Sequence, residues 1–171
     1  MVKCFWITGL PGAGKSSIAQ CLQRKLLEYE VKPILLDGDS LRNVLGKSNS
    51  HYDRDSRAEL AFVYGRLCKL MVSQQHIVIC ATVSMFEEVR EWNRANIPGY
   101  LEVFIDAPKC VLLKRNQKKL YSSGETNLPG VNQKIELPKQ PDFHFVNDGT
   151  KLIDSYADIL ARCYKNDRWN K

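Results

Sequence analysis

Eight consecutive residues, Gly9-Leu10-Pro11-Gly12-Ala13-Gly14-Lys15-Ser16, match the pattern G-x-x-x-x-G-K-[ST] in full. That spacing suits one chemistry, the cradling of a chain of phosphates. The glycines let backbone N–H groups turn inward, Lys15 can reach the β- and γ-phosphates, and the Ser16 hydroxyl can ligate Mg²⁺. Gly9, Gly12, Ala13, Gly14, Lys15, Ser16 and Ser17 are therefore the candidate ATP-binding residues, and Mg²⁺ is expected to arrive with ATP. A second chemical cluster, Asp37-Gly38-Asp39-Ser40, follows the short apolar run Ile34-Leu35-Leu36. Ligands of open α/β sheets sit beyond the carboxyl ends of the strands, so these two carboxylates should lie near the phosphates. Asp39 is then a candidate base for a substrate hydroxyl, and Asp37 joins Ser16 as a candidate for the metal shell. In the competing reading, one of the two aspartates only caps the helix that starts at Ser40.

Cations complete the inventory. Arg42 sits on that short helix, and Arg57 lies near the start of the longest helical stretch, where a positive charge opposes the helix dipole. A solvated surface role competes with a ligand role for Arg57. Lys114, Arg115, Lys118 and Lys119 form a run that is either a solvated helix face or a set of mobile cations for phosphoryl transfer. Lys15, Asp39, the Ser16–Asp37 pair and the run from Arg115 to Lys119 together meet the needs of a kinase: charge neutralisation, a base and a metal. A switch GTPase is disfavoured, because the guanine-reading Asn-Lys-x-Asp pattern and the Asp-x-x-Gly element are both missing.

These groups can act only if regular elements hold them together. Cys4-Phe5-Trp6-Ile7-Thr8 is an apolar run of strand length, and Ser17 to Glu30 reads as a helix with Ile18, Cys21, Leu22 and Leu26 on one face. The phosphates would then meet a helix N-terminus, whose unpaired N–H groups favour negative charge. A short helix is expected from Ser40 to Gly46, then a polar loop from Lys47 to Asp53 containing His51 and Tyr52. Arg54 to Gln75 is the longest helix, with Ala58, Ala61, Phe62, Leu67, Leu70 and Met71 available for burial. Ile77 to Ala81 and Tyr100 to Asp106 read as strands around a helix from Met85 to Ala95. A helix from Lys109 towards Tyr121 leads into an aperiodic stretch from Ser122 to Pro141, of a length more typical of a functional loop than of a connection. Phe143 to Val146 is the last strand, with His144 in a structural role, and the closing helix has an apolar face of Leu152, Ile153, Tyr156, Ile159, Leu160 and Cys163. Strands alternating with helices in this way specify an α/β fold with a parallel sheet covered on both sides.

Bulk properties agree with one domain spanning residues 1–171. Hydrophobic residues make up 44% and charged residues 26% of the chain, as in ordinary globular proteins. The net charge of +6 suits an anionic partner, but the basic residues are dispersed, so nucleotide phosphates account for them without nucleic acid. The six cysteines contain no C-x-x-C pair and read as core thiols of a reducing compartment. The apolar start runs directly into the phosphate loop and no stretch reaches membrane-spanning length, so a cytoplasmic protein without a membrane partner is expected.

Several segments together resemble the adenylylsulfate (APS) kinase family over nearly the whole chain. They are the phosphate loop, Leu36-Asp37-Gly38-Asp39-Ser40-Leu41-Arg42, Tyr52 through Arg57, Val103 through Pro108, Arg115 through Tyr121, and Pro129-Gly130-Val131. The resemblance implies a P-loop kinase with a five-stranded parallel sheet, helices on both faces and a lid over about residues 109–141. It implies transfer of a phosphoryl group from ATP·Mg²⁺ to the ribose 3′-hydroxyl of a small nucleotide. By that likeness Asp39 is the base, Arg42 and Arg57 hold the acceptor, Tyr52 stacks on its base, Arg115 and Lys118 belong to the lid, and Val83, Ser84 and Gly130 border the acceptor. Pairing into a homodimer is a further expectation carried over from the family.

Three departures bear on the acceptor. The family's asparagine three residues after the arginine is Leu60 here, its second aromatic is Leu128, and its Ile-Ser-Pro is Val83-Ser84-Met85. Losing one face of an aromatic sandwich forfeits about 1 kcal/mol, and losing the asparagine removes a polar contact. A branch similar to APS kinases phosphorylates cytidine diphosphoramidate on the way to capsule phosphoramidate, and an edited base pocket beside an intact phosphoryl-transfer core fits that branch. APS itself, in sulfate assimilation, is the alternative acceptor. A kinase acting on nucleic-acid ends and a noncatalytic nucleotide-binding subunit are the rival functional classes.

Overall fold

The computed structural model describes residues 1–46, 53–115 and 135–166. Its elements run β1 (Cys4–Thr8), α1 (Lys15–Glu28), β2 (Ile34–Asp37), α2 (Gly38–Val44), α3 (Arg54–Ser73), β3 (Val78–Thr82), α4 (Glu87–Asn96), β4 (Tyr100–Asp106), α5 (Lys109–Arg115), β5 (Phe143–Val146) and α6 (Ile153–Lys165). The five strands form one sheet in the order β2-β3-β1-β4-β5, every neighbouring pair parallel. Strands β1 and β3 are buried at every position, which is why their sequences are unbroken apolar runs rather than alternating ones.

Alternate residues of β1 divide between two cores. Phe5 and Ile7 join Ile18, Leu22 and Leu26 of α1 and Tyr156 and Leu160 of α6 on one face. Cys4 and Trp6 join Ala61, Tyr64 and Cys68 of α3 and Val89 of α4 on the other. Because the chain goes from β1 to β2 and β3 on one side and then crosses to β4 and β5 on the other, the sheet's order reverses at β1, and the turn after it opens onto the crevice where such sheets bind ligands.

The boundaries differ from the sequence expectation where it matters for the site. Helix α1 begins at Lys15 rather than Ser17, and α2 at Gly38 rather than Ser40, so Lys15, Ser16 and Asp39 all stand in first helical turns. Helix α4 begins only at Glu87, leaving Met85 and Phe86 as buried residues of the preceding connection. The closing helix packs through Tyr156, Ala157, Leu160 and Ala161, while Leu152 and Ile159 are exposed, contrary to the expected apolar face. Alanines at 157 and 161 let α6 approach α1 closely, and that approach rotates Ile159 outward. Leu70 of α3, expected inside, is exposed as well. All six cysteines are free, with Cys4, Cys21, Cys68 and Cys80 buried, Cys163 partly buried and Cys110 exposed. Among the described residues no helix is long and apolar enough to cross a membrane.

Candidate active site

The phosphate loop leaves β1 at Thr8 and enters α1 at Lys15. Its first glycine is dictated by space, since a Cβ at Gly9 would run into the Ile105 carbonyl of β4. Its last, Gly14, caps α1 in the left-handed region at φ 99°, where side chains are strained. Ala13 N–H donates to Leu10 O at 3.1 Å and closes the turn. Lys15 is only 8% exposed, and its Nζ donates to Leu10 O at 2.9 Å, so the ammonium folds back over the loop. Burial lowers its pKa to about 8, while the charges of Asp37 and Asp39 pull the other way.

Both aspartates thus act on the loop lysine through their charge, and hydrogen bonds fix the position of Asp37. Ser16 Oγ donates to Asp37 Oδ2 at 2.6 Å. The other oxygen of the same carboxylate, Oδ1, accepts from the N–H groups of Asp39 (3.1 Å) and Ser40 (3.4 Å). Asp37 therefore does both jobs that the sequence left as alternatives: it caps α2 and it faces the phosphate loop. A hydroxyl and a carboxylate are hard oxygen donors, the kind that suit Mg²⁺ when water and phosphate oxygens fill the rest of its shell. No group of three or more His, Cys, Asp or Glu poised for a metal occurs among the described residues. An ion shared with phosphates does not require one.

Asp39 and Arg42 both lie on α2. Tyr64 of α3 ties that helix to its own, its OH donating to Gly38 O at 3.3 Å. Burial raises its pKa to about 12, with Arg42, Asp39 and Asp37 all close enough to contribute. Arg57 lies on the same helix with its guanidinium 5.8 Å from the centre of the buried Phe86 ring, and Arg54 approaches that ring at 5.6 Å. Leu60, one turn further along, is 8% exposed and belongs to the apolar cluster that includes Phe86. Val83 and Ser84 follow β3. Ser84 is 1% exposed, its carbonyl accepts from Thr8 Oγ1 at 3.2 Å, and its hydroxyl has no hydrogen-bond partner among the described residues.

On the opposite side of the loop, Arg115 at the end of α5 donates through Nη1 to Gly12 O at 3.0 Å and through Nη2 to Asn147 Oδ1 at 3.2 Å. The structure thus gathers Lys15, Ser16, Asp37, Asp39 and Arg115 around the phosphate loop, with Ser17 exposed on the first turn of α1. Arg42 lies on α2, Arg57 and Leu60 on α3, and Val83 and Ser84 just past β3. Tyr52, Lys118, Leu128 and Gly130 lie outside the described residues.

Three participants escaped the sequence reading. Asn147 is buried against the loop, and its position just past the carboxyl end of β5 was the available signal. Tyr64 stands two helical turns after Arg57, a spacing that puts both on one face. Glu136, in an aperiodic stretch, had no signal. It accepts from Glu87 N–H at 2.7 Å and from Arg54 Nη2 at 3.1 Å, and these donors, Glu87 foremost, hold its carboxyl below the usual range. His144, expected to be structural, stacks on Phe104 at 5.0 Å and sits 3.3 Å from Asp106 Oδ2.

The family model for adenylylsulphate kinase matches residues 1–146. The chain is 37% identical over 162 residues to a cytidine diphosphoramidate kinase of Campylobacter jejuni, covering 92% of this chain and 93% of that one. It is 40% identical over 163 residues to an adenylyl-sulfate kinase of Aeromonas salmonicida, covering 91% and 82%. Among solved structures, the Mycobacterium tuberculosis APS kinase CysC in complex with AMPPNP and APS superposes with a TM-score of 0.86 at 31% identity, over 96% of this chain and 98% of that one.

Proposed function

Because the chain belongs to the adenylylsulfate kinase family, we propose that it transfers the γ-phosphoryl group of ATP to the ribose 3′-hydroxyl of a small nucleotide, and that this acceptor is cytidine diphosphoramidate. The observation that carries the phosphoryl-transfer reading is the 2.6 Å bond from Ser16 to Asp37, which joins the phosphate loop to the acidic tip of β2. Mg²⁺ bound with ATP supplies charge neutralisation at the transferring phosphoryl group. Ser16 and Asp37 would hold that ion, and the loop amides with Lys15 would hold the phosphate oxygens. Asp39 takes the proton as the 3′-oxygen forms its bond to phosphorus and the bond to the β-phosphate oxygen breaks, releasing ADP. Arg42, Arg57 and Lys118 are the candidates to hold the acceptor, Tyr52 the candidate to stack on its base, and Arg115 serves the donor side.

The choice of acceptor rests on what α3 and the following segments present. Leu60, buried in the apolar cluster with Phe86, stands where the family has a hydrogen-bonding asparagine, and Leu128 stands where it has an aromatic. A pocket edited in this way favours a base other than adenine. The Aeromonas relative, at 40% identity, and the likeness to a structure solved with APS support APS as a second reading. Measuring kcat/KM with ATP for cytidine diphosphoramidate, APS, CDP and ADP separates the two. We expect the cytidine diphosphoramidate value to exceed that for APS by at least tenfold; a ratio in favour of APS would give the chain to the second reading.

A further inference from the structure

We infer that Asn147 is a positioning residue for the phosphate loop, and that Asn147 and Arg115 act as one clasp that sets affinity for the donor nucleotide. The inference rests on the kinase reading above. Asn147 is 1% exposed and begins the turn after β5. Its backbone N–H donates to Asp106 O at 2.7 Å, which ties its Cα to the end of β4, next to the start of the loop. With the backbone so anchored, both ends of the side-chain amide are engaged. Nδ2 donates to Ala13 O at 2.8 Å, and Oδ1 accepts from Arg115 Nη2 at 3.2 Å. Arg115 Nη1 then reaches Gly12 O at 3.0 Å. Two consecutive carbonyls of the loop, Gly12 and Ala13, are thereby held by side-chain donors that also bond to each other.

The peptide between Ala13 and Gly14 shows why this matters. A trans peptide is planar, so drawing the Ala13 carbonyl towards Asn147 turns the Gly14 N–H to the opposite side. An anion-binding loop needs its amides oriented in advance, because reorienting them on binding costs affinity. The close approach also explains a residue. A Cβ at Gly14 would lie 2.5 Å from Asn147 Nδ2, so glycine is needed there for the clasp as well as for the positive φ. Only an amide supplies the two opposite functions: aspartate could accept from Arg115 but would set a carboxylate against the Ala13 carbonyl, and alanine supplies neither.

The test is equilibrium binding of MgADP to the whole chain by calorimetry, together with steady-state kinetics, for Asn147→Ala, Asn147→Asp, Arg115→Ala and the double alanine variant. Leaving a buried carbonyl without its donor predicts a Kd for MgADP and a KM for ATP raised about tenfold or more in Asn147→Ala. The KM of the acceptor should stay within twofold, a split that a general loss of structure would not produce. Asn147→Asp should bind no better than Asn147→Ala. The double variant should be weakened by clearly less than the product of the single effects, as expected for groups that work through each other. Wild-type affinity in folded Asn147→Ala, equal rises in both KM values, or strictly multiplicative effects would overturn the clasp. Arg115 is exposed, so Arg115→Ala should fold even if the Asn147 variants do not; unchanged MgADP affinity in that variant would overturn the clasp by itself. Failure of the wild type to bind MgADP would sink the kinase reading, whereas unaffected variants of a binding wild type sink this inference alone.

Discussion

Asp39 and Lys15 make opposite demands on their surroundings, and each carries its own prediction. Asp39 is exposed on the first turn of a short helix, so Asp39→Asn should keep the wild-type melting temperature. As the assigned base it should nonetheless lower kcat by about 10²- to 10⁴-fold; an unchanged kcat would remove Asp39 from the mechanism. Lys15 is buried, and its pKa of about 8 lies below the value of about 10.4 expected in an unfolded chain. Such a lysine binds fewer protons in the folded state than in the unfolded one. Its burial therefore costs stability below pH 8, and that cost fades as the pH rises from about 8 to about 10.4. Phosphate binding needs the ammonium, so MgADP should bind with uptake of a proton in that window, and its affinity should fall by close to tenfold per pH unit above about pH 8.5. Calorimetry in buffers of different ionisation enthalpy reads the proton directly, and a flat affinity across the window would contradict the role given to Lys15. At this scale the sequence revealed what lies close along the chain, the loop and the aspartate pair. It concealed Asn147 and Tyr64, because each meets its partner across many residues, only once the chain has folded.

Elements were legible wherever burial is two-sided. The central strands are unbroken apolar runs or nearly so, whereas the order β2-β3-β1-β4-β5, in which β1 and β2 are not neighbours, shows only in the folded sheet. Less legible were helix starts and helix faces. Lys15 and Asp39 enter helices early because the left-handed backbone of Gly14 and the side-chain cap of Asp37, rather than apolar periodicity, set those boundaries. Ile159 faces outward because small residues on α6 decide which side meets α1. The same logic of close approach governs α3 against α4. Gly65 of α3 lies so near α4 that a Cβ would run into the Asn93 side chain and come within 3.4 Å of Trp92. Alanine in place of a helical glycine ordinarily gains about 1 kcal/mol of helix propensity. Overpacking a buried contact costs about 1–3 kcal/mol, and Asn93 is fully buried with little room to yield. We therefore expect Gly65→Ala to be net destabilising by about 1 kcal/mol, seen as a lower urea midpoint with an unchanged m-value. A raised midpoint would mean that α4 moves aside freely.

For the whole molecule, the +6 charge admits two anionic partners, and the fold weighs them differently. A polynucleotide needs a continuous basic track, whereas among the described residues Lys15 and Arg115 bond the phosphate loop, and others are taken up in ion pairs, such as Lys25 with Asp158 and Arg94 with Asp142. Single-stranded and duplex oligonucleotides should therefore show no binding at 50 mM salt; tight binding that weakens steeply with added salt would favour a kinase of nucleic-acid ends. What the account depends on is that a phosphoryl group passes from ATP to a sugar hydroxyl held beside Asp39. The most direct measurement is ³¹P NMR of the product made from ATP and cytidine diphosphoramidate by the intact chain. A new phosphomonoester coupled to the ribose H3′, appearing in step with ADP, is the predicted result, and the appearance of inorganic phosphate alone, or of phosphate added to the anionic tail, would contradict it.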